Sequence, residues 1–396
     1  MLLESWDAPL LFAFTGCGQL RAGVYSRWAP ARGLARLSFF ANPVSLECLR
    51  GRHETLRATG ESRSRMDAFS EVLNGVRLKG AMFFTAEFSA PWQLSTPHCR
   101  ALAPTLAPGA PHMLIYHFVM DGSARVCLDD EREIELSPGD VVLFPHGDPH
   151  RLSSGSASNR LDGAALLEKV AKRDLSPMRA GGGGATTKFV CGYLTCDPLL
   201  CGPILESLPP MLKVNVRTDR SGRWLEQSIL HLVEEAASDR AGSDVMLAKL
   251  SEVLFVDTMR RHVSGLADKT TGWLAGAQDP VVGRSLALLH SRPSHAWTVA
   301  ELAADVGISR SALVERFTRY LSVPPIAYLT GWRLRLAAQA LTSTPKGVAD
   351  IAADVGYESE AAFNRAFRRA FQVPPARYRR QSKNSASLPR PPKAVV

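Results

Sequence analysis

Apolar positions change their period along this chain, and each change marks a different kind of element. Residues 1–65 hold no sustained period of 2 or 3.6 and predict little order, which makes Met66 a candidate true start. Residues 66–80 (MDAFSEVLNGVRLKG) place Phe69, Val72, Leu73 and Val76 on one side of a short amphipathic helix. From about Gly80 to His150, AMFFTAEFS, HMLIYHFVM, ARVCLDD and REIELSPGDVVLFP are apolar runs broken by Pro, Gly and Asp, as in the short strands of a small barrel or sandwich. Residues 153–187 interrupt them with SSGSASN, a helical patch at 161–170 and GGGGATT, and predict a flexible insertion; strands resume at 188–194 and 211–216. Two helices follow, at 222–238 and 243–263. Trp224, Leu225, Ile229, Leu232 and Val233 repeat at helical spacing in the first, and Met246, Leu247, Leu250, Leu254 and Met259 in the second. An antiparallel hairpin results, suited to covering the sheet and to forming a homodimer seam. Residues 264–278 read as a linker and 382–396 as a disordered tail.

The part between, 279–381, contains an internal repeat. VAELAADVG at 299–307 returns as VADIAADVG at 348–356, and Phe317, Pro324, Pro325 and Tyr328 return about fifty residues later as Phe367, Pro374, Pro375 and Tyr378. In each copy an amphipathic helix ends at Gly307 or Gly356, and a second begins near Ser309 or Ser359, residue types that end and cap helices. This is the grammar of a helix-turn-helix. Leu302, Val306, Leu313 and Phe317 would make one small core, and Ile351, Val355, Phe363 and Phe367 its twin. The second helices then expose Arg310, Ser311, Val314 and Glu315 in one unit, and Glu360, Ala361, Asn364 and Arg365 in the other, all within reach of major-groove base edges. Arg365 and Asn364 are the strongest base-reading candidates. An acid at Glu315 or Glu360 either accepts from cytosine or repels phosphate. Residues 325–341 form one helix of about 25 Å, long enough to set the two heads near one turn of DNA apart. Arg333, Arg335, Lys346, Arg368, Arg369, Arg377, Arg379 and Arg380 are candidates for phosphate contact.

Charge supports this. Residues 279–383 hold 15 Lys/Arg against 8 Asp/Glu, so most of the chain's net +9 lies in its last quarter, where a polyanion such as double-stranded DNA would be met. GYESEAAFNRAFRRAFQVPPARYR at 356–379 resembles the AraC/XylS regulators, and the likeness covers about 279–380. It implies sequence-specific DNA binding, with RNA polymerase as a further partner and no catalysis.

The earlier strands carry a second motif. GDVVLFPHGDPH at 139–150 matches the second half of the cupin pattern, G-x5-P-x-G-x2-H, in which Gly and Pro turn between barrel strands and the final His projects inward. A metal-binding cupin adds an H-x-H pair and a Glu; the preceding hairpin, HMLIYHFVMDG at 112–122, has neither. His112, His117, His146 and His150 nevertheless form a candidate effector site, with His117 and His150 as candidate ligands of a metal ion. With MDAFSEVL, SPGDVVLFPHGDPHRL and TKFVCGYL as landmarks, residues 66–263 resemble the cupin-like sensor of AraC-type regulators, which implies an unknown small-molecule effector or stress signal. Cys191 is a candidate redox sensor, against the plainer role of a buried strand cysteine. The seven cysteines include no CxxC pair and fit neither a disulfide framework nor a zinc finger. No apolar stretch is long enough to span a bilayer and the opening residues make a poor secretory signal, so a cytoplasmic protein without membrane contact is expected. The fold class expected is α+β multi-domain: an N-terminal cupin-like β-barrel with a helical hairpin, then an all-α domain of two helix-turn-helix units joined by a long helix.

Overall fold

The computed structural model describes residues 68–384, apart from 76–77, 129–132, 157–159, most of 162–175, 237–240 and 268–269. The expectations for residues 1–65, for a start at Met66, for most of the helical patch at 161–170 and for the tail beyond 384 lie outside the described residues.

After helix α1 (Ala68–Gly75), two sheets form. The larger has six strands in the order β10-β6-β3-β9-β1-β8 and the smaller four, β2-β7-β4-β5. They comprise β1 (Lys79–Ser89), β2 (Trp92–Thr96), β3 (Met113–Asp121), β4 (Ala124–Leu128), β5 (Ile134–Leu136), β6 (Asp140–Phe144), β7 (His150–Ser154), β8 (Met178–Gly181), β9 (Thr186–Thr195) and β10 (Leu212–Asn215). Pairing is antiparallel except between β1 and β8. Part of the predicted insertion is therefore sheet: β7 runs to Ser154, and β8 and the start of β9 lie inside 153–187. Gly-rich composition hid a strand, β8, whose register comes from β1 rather than from its own apolar period.

Strand alternation sorts the central side chains into two cores. Leu114, Tyr116 and Phe118 of β3, Val141 and Leu143 of β6, and Val190 and Leu194 of β9 face the helices; Val119, Val142, Phe144, Phe189 and Cys191 face the barrel interior. The hairpin is α4 (Arg220–Ala236) and α5 (Ser243–Ser264), preceded by α2 (Cys99–Leu106) and α3 (Pro198–Leu205). Tyr116 reaches across β9 to Ser251 of α5 (2.8 Å) where Gly192 makes room, since a Cβ there would lie 2.2 Å from the phenol oxygen.

The stretch expected as a linker instead carries α6 (Trp273–Gln278), whose Trp273, Leu274, Ala275 and Gly276 are buried. The Trp273 indole N–H donates to the Tyr328 hydroxyl at 2.8 Å. Trp273, Leu274, Ala275 and Ala277, within a single six-residue helix, are too few to show a helical period. Then come α7 (Pro280–Ser291), α8 (Val299–Val306), α9 (Arg310–Leu321), α10 (Pro325–Ser343), α11 (Val348–Asp354), α12 (Glu360–Phe371) and α13 (Pro375–Asn384). The last continues past residue 381, where the tail was expected to begin. One apolar cluster runs from the sheet and hairpin to Leu302, Leu313 and Phe317. A second holds Ile351, Phe363, Phe367, Phe371 and Tyr378, together with Leu199 from α3.

Candidate nucleic-acid interface

The two C-terminal copies fold alike because they repeat the same end signals. Thr298 accepts the Glu301 N–H (3.1 Å) at the start of α8, and the Asp350 carboxylate accepts the Gly347 N–H (3.2 Å) at the start of α11. Gly307 and Gly356 turn the chain at φ 76° and 86°, the left-handed region that favours glycine. Ser309 and Ser359 then cap α9 and α12, each accepting from the N–H three residues on (3.3 and 3.2 Å). Both second helices also end on a left-handed residue, Ser322 and Gln372. Leu302, Leu313, Phe317, Ile351, Phe363 and Phe367 are fully buried, so each second helix has one face fixed in its core.

The opposite faces are open. On α9, Arg310, Ser311 and Glu315 are exposed and Val314 is half-buried; on α12, Glu360, Ala361, Arg365 and Arg368 are exposed and Asn364 is half-buried. The Asn364 amide donates to the Glu360 carboxylate at 3.3 Å, one helical turn away. These positions form two solvent-facing arrays, one on each unit.

Helix α10, 19 residues and about 28 Å long, joins the units. Two of its arginines do not face solvent as a phosphate contact requires. Arg333 donates to Pro293 O (2.6 Å), His295 O (2.7 Å) and Gly356 O (3.3 Å), tying the loop before α8 to the turn before α12. Burial also depresses its pKa. Arg335 lies half-buried beside Gly202 of α3. Carbonyls left open at helix ends and turns draw guanidinium groups, and a period count along α10 cannot reveal this. Arg379 donates to Leu341 O (3.1 Å), and Lys346 pairs with Asp354 (2.7 Å). Arg368, Arg369, Arg377 and Arg380 are exposed.

The four histidines of the cupin motif and its preceding hairpin form two pairs rather than one cluster. His112 donates to Pro145 O (2.8 Å) and His146 to Leu208 O (3.3 Å). Both line a pocket of about 210 Å³ with His98, Cys99, Arg100 and Asp148. Sequence reading missed α2, which brings His98 and Cys99 there; its eight residues include Pro104 and give almost no periodic signal.

His117 and His150 lie inside the barrel, with His117 between His150 and Cys191. His150 Nδ1 is 2.9 Å from Asp148 O, an acceptor only, so that nitrogen carries a proton. Its Nε2 must then accept from His117 Nε2 (2.7 Å), and His117 Nδ1 must accept from the Cys191 thiol (2.8 Å). One proton order satisfies the row, with all three groups neutral. Burial, then the neighbouring His150, holds His117 well below its usual pKa; burial lowers His150 to about 4 and pushes the Cys191 thiol well up. Phe144 stacks flat on His150, with ring centroids 3.6 Å apart. These donors do not fit one metal ion. Bonds of about 2.0–2.1 Å at a tetrahedral angle need ring nitrogens more than 3 Å apart, and Cys191 addresses the opposite nitrogen of His117. Among the described residues no group of three or more His, Cys, Asp or Glu converges as a metal site.

Comparison with known proteins bears on both halves. The cupin family profile matches residues 67–264 and a helix-turn-helix domain profile matches 302–381. A putative AraC-like transcription regulator of Streptomyces antibioticus is 32% identical over 272 residues, 68% of this chain and 88% of that protein. The HTH-type transcriptional regulator AlkR of Acinetobacter baylyi is 29% identical over 323 residues, 80% of this chain and all of that one. Among solved structures, the DNA-binding domain of AdpA in complex with a target DNA is 26% identical, covering 27% of this chain and 96% of that domain with a TM-score of 0.26. This chain therefore belongs to the AraC family of DNA-binding transcriptional regulators, with a cupin domain ahead of its helix-turn-helix domain.

Proposed function

We propose that this regulator sets α9 and α12 into successive major-groove faces of duplex DNA and does so in response to a signal received by its cupin domain. One observation carries the reading: two capped second helices, each with a buried face and a free one, are held by a single strut and by the Arg333 brace. Arg365 is the principal base-reading residue, with Arg310, Ser311 and Asn364 beside it. The exposed cations Arg368, Arg369, Arg377 and Arg380 meet phosphates.

The signal is a small polar effector in the pocket of His98, His112 and His146, or a change of state at Cys191. A bound effector acts only through its differential affinity for two arrangements of the heads. RNA polymerase is the second macromolecular partner, and the cupin domain works without catalysis. The working unit is a homodimer formed through the hairpin: among the described residues the exposed large hydrophobics, Trp224, Val245, Met246 and Val253, all lie on α4 and α5.

Selection of bound duplexes from a random pool, followed by anisotropy titration, tests DNA reading. Arg365→Ala should cost about 1–3 kcal/mol on the selected site and less on random DNA. Equal losses on both would remove Arg365 from the reading face.

A further inference from the structure

Helix α3 starts with two cysteines at the positions that pin a helix end. Asp197 is the N-cap, its carboxylate accepting the Leu199 N–H at 2.9 Å, and Pro198 is the first helical residue. Cys196 therefore precedes the cap and Cys201 is the fourth helical residue. Side chains at these two positions pack together as a hydrophobic staple that sets the angle at which the chain joins the helix. Here both are thiols, 3% and 5% exposed, in the same apolar cluster and close enough to influence each other. Apolar staples close by contact alone, whereas two sulfurs can close by a covalent bond.

The staple lies where the sensor meets the DNA-binding domain. Cys196 follows β9 and its N–H donates to His112 O (3.3 Å), so it is anchored on the larger sheet. Cys201 rides on a helix whose Leu199 is packed among Leu334, Ala337, Leu341 and Ile351 of the second unit. Gly202 backs onto the strut: a Cβ there would lie 2.7 Å from Arg335 Nη1. Any change in the angle between β9 and α3 therefore reaches α10 directly.

We propose that Cys196 and Cys201 are a redox modification site, closed to a disulfide by a small two-electron oxidant of the hydroperoxide class, and that this bond resets α3 against the strut. The near-complete burial admits an oxidant of a few atoms and excludes a protein disulfide. Cys196 attacks first here; exchanging the two sulfurs leaves the balance unchanged. Its sulfur, losing its proton, attacks one oxygen of hydrogen peroxide; the S–O bond forms as the O–O bond breaks, and the departing hydroxide takes up that proton as water. The Cys201 sulfur then attacks the sulfenic sulfur and gives up its own proton; the S–S bond forms, the S–O bond breaks and a second water leaves. Two thiols lose two electrons and two protons, and one peroxide becomes two waters. Drawing the two sulfurs together to an S–S bond of about 2.05 Å pulls the start of α3 toward the end of β9.

Trypsin leaves Cys191, Cys196 and Cys201 on one peptide, 189–213, so the test uses full-length Cys191→Ser protein, with fragment-ion assignment of the unsubstituted protein alongside in case that variant does not fold. After hydrogen peroxide and alkylation, the peptide should lack two hydrogens and both alkyl groups until dithiothreitol is added. The same treatment should change affinity for a selected DNA site by about fivefold or more, a usual size for coupling between sites, and Cys201→Ser should abolish the change. Alkylation of both thiols after peroxide, or a closed bond with a smaller affinity change, would overturn the proposal. Mass reports the bond without reference to DNA, so failure here is distinct from failure of the effector reading.

Discussion

His117 has both ring nitrogens in use, one toward Cys191 and one toward His150, and this fixes how the barrel interior responds to acid. Burial lowers His150 to about 4, and burial with the nearby Arg335 charge lowers His290 to about 3, from the usual 6.5. In the unfolded chain these imidazoles take up protons near pH 6.5; in the folded chain they do so only near the lower values. Their stabilising contribution is thus complete above about 6.5 and is lost as pH falls toward 4. The urea midpoint should drop between about pH 7.5 and about pH 5, and a constant midpoint would contradict the neutral row. Elemental analysis of the purified protein should find less than one equivalent of zinc, iron or nickel; a stoichiometric metal would mean that His117 and His150 separate to hold it. Arg333→Ala should destabilise the protein by about 1.5–3 kcal/mol, because it strips carbonyls of a charged donor, and should leave the salt slope of DNA binding unchanged. A slope lowered by about one would restore Arg333 as a phosphate contact. His150 and Cys191 were recognisable singly from the sequence. The sequence pairs His117 with His150 as candidate metal ligands, but the contact of His117 with Cys191 was not legible, because the two lie 74 residues apart and only the sheet register joins them.

At the scale of elements, legibility followed the strength of local signals. The strut was expected at 325–341 and runs Pro325–Ser343, because paired prolines start it and Pro345 lies just beyond its end. Both helix-turn-helix units were visible for the same reason, since Gly and Ser fall at fixed offsets twice. Helices α2, α3 and α6 were not expected. They have six or eight residues each, two contain an internal proline, and tertiary packing rather than periodicity holds them. Capping makes a prediction here. Ser359→Ala should lower stability by about 1 kcal/mol, whereas Phe367→Ala, which removes a ring packed on Phe363, Phe371 and Tyr378, should cost about 3–5 kcal/mol. Equal effects in chemical denaturation would show that the second unit is not built around that aromatic cluster.

Across the whole molecule, the expected linker is a packed junction, and this changes how a signal can travel. Sheet, hairpin and first unit share one apolar cluster, while α3 enters the core of the second, so the cupin domain touches both reading units. Residue pattern predicted the two halves and their order but not this joint, because contacts between domains leave no period in either. The homodimer proposed through the hairpin face predicts that the protein sediments as a dimer and that Met246→Glu shifts it to monomer; a monomeric protein, or a dimer unchanged by Met246→Glu, would contradict that seam. In the proposed binding mode one rigid strut presents two heads to consecutive grooves. It is tested most directly by hydroxyl-radical footprinting of the full chain on a selected site, with and without about half a helical turn of DNA inserted between the two protected patches. Two patches about one turn apart are predicted, with binding lost on insertion. A single patch, or binding that tolerates the insertion, would contradict it.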